Sequence, residues 1–269
     1  MIQPVLKSLA FAMLAVSALA AHAADAPVTN AVIAGTGIGN NDFTIGTGSG
    51  IGGSTIELGL RARERYGGPG PIFSPTNNTY NNDTNTYNHA AGGFTPIPAT
   101  PNGTSPGPRA SWNFDWSINS NSNGATTNVN LGGYTYLLSL DTDPGVGISY
   151  QSFDPVNSGL NDNSFGNNLT TQGNGAEATS LANYKALVGA NNLVQNSWNY
   201  QFFPSLFTFD PNANGTYTIR LQAIDLSGAI LASSLINVNV GVAAVPEPGS
   251  MALMGLALAG LAVVRRRKV

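Results

Sequence analysis

The chain has 269 residues, 9% of them charged, and no cysteine, where an average globular domain carries about 25% charge. Between residues 25 and 245, six Lys and Arg stand against thirteen Asp and Glu, a formal charge of −7. Phosphate binding needs clustered cations, so nucleic acid is excluded as a partner. Without cysteine there is no thiol nucleophile and no disulfide, and stability rests on core packing.

Residues 1–23 read as a secretory signal peptide. Lys7 supplies the positive start, Leu9 to Ala20 the apolar stretch, and Ala21-His22-Ala23 a small-x-small cleavage site, with the cut expected after Ala23. The apolar stretch is too short to span a bilayer.

Residues 24–108 form a Gly-, Pro- and Asn-rich region expected to hold short strands and a long loop. Gly48-Ser49-Gly50-Ile51-Gly52-Gly53 fits the pattern G-x-G-x-x-G, but no βαβ unit surrounds it, so it reads as turns between short strands rather than a nucleotide cradle. Ile56, Leu58, Leu60 and Ala62 alternate with Glu57, Arg61, Arg63 and Arg65 in a strand with one apolar and one basic face. The basic face is expected to be solvated or to guard an edge; its alternative use is to clasp acidic sugars through guanidinium forks. Residues 66–108 hold eight of the sixteen prolines and an Asn/Thr tract. They read as a loop or linker with room for one hairpin.

Residues 109–241 carry the pattern of an antiparallel β-sandwich. Trp112, Phe114, Trp116 and Ile118 alternate with polar residues; Tyr134 to Leu140, 148–153, and Trp198-Asn199-Tyr200-Gln201-Phe202 read as further strands. A helix is expected over 179–188, with Leu181, Tyr184 and Val188 on one face. The clearest hairpin comes last: Tyr217 to Ala223, a loop from Asp225 to Gly228, and Ile236 to Val240. The three tryptophans, spaced inside apolar faces, are expected in the core rather than on a sugar platform. The fold expected is therefore mainly β, with long irregular loops.

Chemistry is sparse. The exported chain keeps one histidine, His89, and candidate carboxylates (Asp115, Asp141, Asp143, Asp154, Asp162, Glu177, Asp210 and Asp225) sit mostly beside Pro, Asn or Gly, where they form turns. No catalytic residue, cofactor or metal site is assigned. Asp210-Pro211-Asn212-Ala213-Asn214-Gly215 begins like a calcium loop, but the twelfth position is Leu221 rather than Glu.

Residues 242–269 are built in three parts. Pro246-Glu247-Pro248 cannot continue a helix or a ladder and offers an extended backbone to grip. Gly249 to Val264 is uncharged and predicts a short transmembrane helix, and Arg265, Arg266, Arg267 and Lys268 set its cytoplasmic end. This tail resembles the PEP-CTERM sorting signal of Gram-negative bacteria. The resemblance implies recognition of Pro246, Glu247 and Pro248 by an exosortase, a membrane-embedded cysteine transpeptidase-like enzyme, in hosts that typically make exopolysaccharide.

The closing hairpin resembles that of immunoglobulin-like surface domains. Trp112-Asn113-Phe114-Asp115, Asp162-Asn163-Ser164-Phe165-Gly166 and Asn196-Ser197-Trp198-Asn199 look similar to uncharacterised bodies carried on such tails. The expectation is an exported, non-enzymatic surface or biofilm-matrix protein. It is held in the inner membrane by its C-terminal helix before processing, then released to the cell surface or matrix. The alternatives are an exopolysaccharide-binding module and, less favoured, a glycoside hydrolase.

Overall fold

The computed structural model describes residues 25–33, 43–64, 81–83, 86–88, 110, 112–125, 129–145, 147–159, 161–210 and 213–240. They form two sheets. The first has seven strands: β1 (Asp25–Ala26), β2 (Phe43–Ser49), β3 (Thr55–Glu64), β6 (Trp112–Asn119), β11 (Leu193–Trp198), β9 (Ser164–Gly166) and β10 (Ala176–Glu177), in that spatial order. The second has six: β4 (Asn81–Asp83), β5 (Thr86–Asn88), β13 (Ile230–Val240), β12 (Gly215–Ile224), β7 (Thr135–Asp141) and β8 (Tyr150–Phe153). Every pairing is antiparallel except β5 on β13. β3, from the Gly-rich region, pairs along its length with β6, so the two regions share one sheet.

Period-2 alternation builds the core. Ile56, Leu58, Leu60 and Ala62 of β3 and Trp112, Phe114, Trp116 and Ile118 of β6 face Tyr217, Ile219 and Leu221 of β12 and Ile236, Val238 and Val240 of β13, in one buried cluster. The tryptophans are core residues as expected, Trp116 fully enclosed and Trp198 6% exposed. Where β2 crosses β13 the backbones nearly touch. A Cβ on Gly46 would stand 1.9 Å from the Ser233 carbonyl oxygen, and one on Gly48 would stand 1.8 Å from that of Leu231. Gly46 and Gly48, the second of them the first glycine of the G-x-G-x-x-G run, thus serve close packing of one strand on another, while residues 51–53 of that run form a turn. Ser234 Oγ donates to the Thr44 carbonyl across the same junction at 2.7 Å.

The closing hairpin forms as expected, with Asp225 Oδ1 accepting the amides of Ser227 and Ala229 in its turn. The helix α1 spans Leu181–Ala190. Ser180 caps it by accepting from the Asn183 amide, and Tyr184 and Val188 are buried. Leu181, expected on that buried face, is exposed. The strand expected through Phe202 ends at Trp198; Tyr200–Phe202 is a 3-10 turn nucleated by Asn199, whose Oδ1 accepts from Gln201 N. Asn199 side-chain bonds to Ala110 and Trp112 tie that turn to the start of β6, which is why the alternation breaks there.

Residues 28–33 cross the outer face of the first sheet as a strap. Gln195 of β11 holds it like a ladder partner: its Oε1 accepts from Val32 N at 2.7 Å, and its Nε2 donates to Asn30 O at 2.6 Å. Gly175 N donates to Val32 O. Glu57 accepts from both the amide and the hydroxyl of Thr29 at 2.8 Å, while burial pushes its carboxyl pKa up against those bonds.

Candidate functional site

The basic face of β3 is not solvated and guards no edge. β3 lies between β2 and β6, and Arg61 and Arg63 are 4% and 1% exposed. Antiparallel register sets Arg61 opposite Asp115 and Arg63 opposite Asn113. Nε of both arginines lies 2.8 Å from Asp115 Oδ2. Arg63 Nη2 and Asn113 Nδ2 both donate to Ser197 Oγ, and the Arg61 guanidinium stacks 4.2 Å above the Phe43 ring. Burial alone would raise the Asp115 pKa, but the attraction of Arg63 and Arg61 outweighs it and holds the carboxyl below its usual value. Among the described residues Arg63 Nη1 has no hydrogen-bond partner. With Arg61, Arg63 and Asp115 all buried, the cluster is an ionic cross-link between β3 and β6, and these two arginines are not presented to an acidic sugar. Arg65 and His89 lie outside the described residues.

The carboxylates resolve mostly as turn formers. Asp154 Oδ1 accepts the amides of Val156 and Asn157, Asp143 that of Gly145, and Asp141 Oδ1 those of Asp143 and Ser149. Among the described residues no group of three or more His, Cys, Asp or Glu could hold a metal ion. Pro211 and Asn212 of the calcium-like loop lie outside those residues. Amides stand where charge is missing: Asn196 Nδ2 donates to Asp162 Oδ1 and Asn163 Oδ1, and Asn163 Nδ2 to Pro155 O and the Tyr184 hydroxyl. The three segments singled out for their Asn and aromatic residues meet here, since β11 pairs with both β6 and β9.

One recess was not anticipated. A cavity of about 130 Å³ is lined by Thr142, Pro144, Tyr200, Phe207, Thr208, Phe209, Asp210, Ala213 and Tyr217. Tyr200 packs against Phe207, Phe209 and Tyr217 with ring centroids 5.6, 5.3 and 5.2 Å away. Gly215 sets one wall: a Cβ there would stand 2.0 Å from Pro144 O, and Thr216 N donates to that oxygen. This gives the Gly-Thr-Tyr sequence a role, because the close approach brings Pro144 beside the Tyr217 ring. The available signal was aromatic density, five aromatic residues in the ten from Tyr200 to Phe209. The reading of a strand there obscured it.

The recess lies where the body hands over to the tail, since Gly215 pairs with Val240, the last residue of β13. Residues 244–268 match the family model for the PEP-CTERM protein-sorting motif. The chain carries a PEP-CTERM sorting signal. No curated protein and no solved structure matches the chain. Pro246, Glu247, Pro248, the apolar run and Arg265 to Lys268 lie outside the described residues, as do Ala21 and Ala23. Among the described residues no helix is long and apolar enough to cross a membrane.

Proposed function

We propose that this is an exported, non-enzymatic surface or extracellular-matrix protein with an antiparallel sandwich body, sorted and cleaved by an exosortase at Pro246-Glu247-Pro248. The observation that carries the reading is the sorting motif at 244–268, beginning within four residues of the end of β13. An extended chain spans at most about 3.6 Å per residue, so the triplet stays close to the folded body. In this reading the Gly249 to Val264 helix holds the triplet at the membrane face, and Arg265, Arg266, Arg267 and Lys268 stop translocation. Signal cleavage after Ala23 leaves a mature start one residue before β1.

Of the residues on which a carbohydrate-binding module would rest, Trp112, Trp116, Trp198, Arg61 and Arg63 are buried, which favours the first reading; Arg65 lies outside the described residues. The deciding experiment is the intact mass and C-terminal peptide of protein recovered from the cell surface and medium. An end near residues 246–250 without the Arg cluster is the expected result. A mature chain still ending at Val269 makes the tail a plain anchor and removes the sorting reading.

A further inference from the structure

The tail leaves the sandwich at one end, where β13 finishes at Val240 opposite Gly215, the first residue of β12. β11 ends at Trp198 on the same side. Beyond it, Tyr200 and Phe209 pack on the Tyr217 ring near the start of β12, with centroids 5.2 and 6.0 Å away. Between those two rings the chain turns outward, and Phe202 and Leu206 are 40 and 42% exposed. The loop of residues 142–149 lies alongside, since Pro144 O accepts from Thr216 N, and it carries Ile148, 58% exposed. No charged residue occurs from Asn199 to Phe209.

The exposure has a local cause. Phe203 turns inward against Phe153 and Trp198, with centroids 5.3 and 5.5 Å away, and Phe207 joins it on the core. Leu206 N and Phe207 N both donate to Phe203 O, which closes a tight turn with Pro204, Ser205 and Leu206 outside it. The space beneath is filled, so Phe202 and Leu206 stay in the open. Apolar side chains presented together on neighbouring loops mark an interaction surface.

The length of chain beyond β13 identifies the partner. The apolar run begins at Gly249, and the nine steps from Val240 span at most about 32 Å. β13 has eleven residues, so Ile230, at the far end, lies about 34 Å from Val240 at the usual strand rise. That far end exposes Leu169 and Leu226 more fully. Even a fully stretched tether falls short of turning it to a bilayer that the run has entered. The end that bears Ile148, Phe202 and Leu206 is the one within reach.

Resting on the reading that residues 249–264 enter the membrane, we propose that Phe202, Leu206 and Ile148 seat in the interfacial layer of that membrane. The anchored protein then has a second contact beside its tail, which limits how the body turns over Pro246-Glu247-Pro248. The partner chemistry is a zwitterionic lipid surface. An uncharged loop enters the boundary between head groups and acyl chains without burying a charge, whereas exposed Asp143 in the neighbouring loop disfavours anionic head groups. Three side chains make a reversible contact, so cleavage at the triplet still frees the body.

The chain has no cysteine, so Ser205→Cys and Leu226→Cys each supply one thiol for an environment-sensitive fluorophore. The labelled full chain is inserted into vesicles of phosphatidylcholine and phosphatidylethanolamine, with insertion checked by flotation. Blue-shifted emission quenched by doxyl-labelled lipid is expected at position 205 and not at position 226. The double change Phe202→Ser, Leu206→Ser is expected to abolish the quenching at 205 while flotation and the urea midpoint stay unchanged. Equal quenching at 205 and 226, or quenching at 205 that survives the double change, overturns the proposal. Floated protein with water-like emission at 205 overturns this proposal alone. Protein that does not float overturns the membrane reading of the tail and this proposal with it, so the two failures are distinguishable.

Discussion

The outer faces of the two sheets are both polar in sequence, yet they are different environments. On the first sheet Arg61, Arg63, Asp115, Ser117 and Gln195 are sealed from water, with the strap of residues 28–33 across part of that face. On the second, Thr216 and Thr218 donate to Asn239 and Asn237 across β12 and β13 at 2.8 and 3.0 Å, in a ladder left mostly half-exposed. Alternation tells which side chains turn from the core. It does not tell whether solvent or more protein lies beyond them.

The largest expected difference follows from charge. Asp115→Asn removes the carboxylate that two enclosed guanidinium groups share, and breaking a buried ion pair by removing one partner costs about 3–5 kcal/mol. That is a large share of a typical stability of about 5–15 kcal/mol. Urea unfolding should show the loss, and the triple change Arg61→Met, Arg63→Met, Asp115→Leu should recover most of it. The same cluster sets a pH response. Because the folded Asp115 pKa is depressed, its contribution is complete above the unfolded carboxylate value of about 3.9 and is lost as pH falls through the lower folded value. Melting midpoints should fall more steeply for the native chain than for Asp115→Asn as pH drops from about 3.9 through that lower folded value.

Next comes the strap. Gln195→Leu keeps the volume but strands Val32 N and Asn30 O, and each buried unpaired group costs about 1–3 kcal/mol. Hydrogen exchange should rise first in residues 28–33, with the two-sheet core protected longer. If instead all amides exchange together, the strap is an inseparable part of the fold. Gly48→Ala tests the sheet junction: its Cβ meets the Leu231 carbonyl oxygen at 1.8 Å, so β2 must move off β13. Overpacking of this kind costs about 1–3 kcal/mol, read as a lowered unfolding midpoint.

These sites mark what was legible in the chain. Strict alternation at Trp112 to Ile118 and Tyr217 to Ala223 is local, and it located β6 and β12 and their buried faces directly. The Ser180 cap and the Asp225 turn are likewise local hydrogen-bond devices. Burial of Arg61 was not legible, because it depends on Asp115, 54 residues away, and on a register that no short window contains. The recess escaped for the same reason: Pro144, Tyr200 and Tyr217 meet only after Gly215 lets two loops touch. The tail was the opposite case, since a sorting signal is a contiguous string and is read without folding.

The smallest expected effect is the sharpest control. Thr218→Val deletes the hydroxyl that Asn237 accepts from, on the sheet face that water reaches. Thr218 is itself only 6% exposed, but Asn237 is half-exposed, so water can replace the lost donor. The net value of such a bond is about 0.5–1.5 kcal/mol, and valine, branched like threonine, returns part of it through strand preference. The expected change in urea midpoint corresponds to less than about 1 kcal/mol. A loss as large as that of Asp115→Asn would mean that the second outer face is also covered in solution, by a partner or by another part of the chain. The contrast between the two sheets would then be one of occupancy rather than of design.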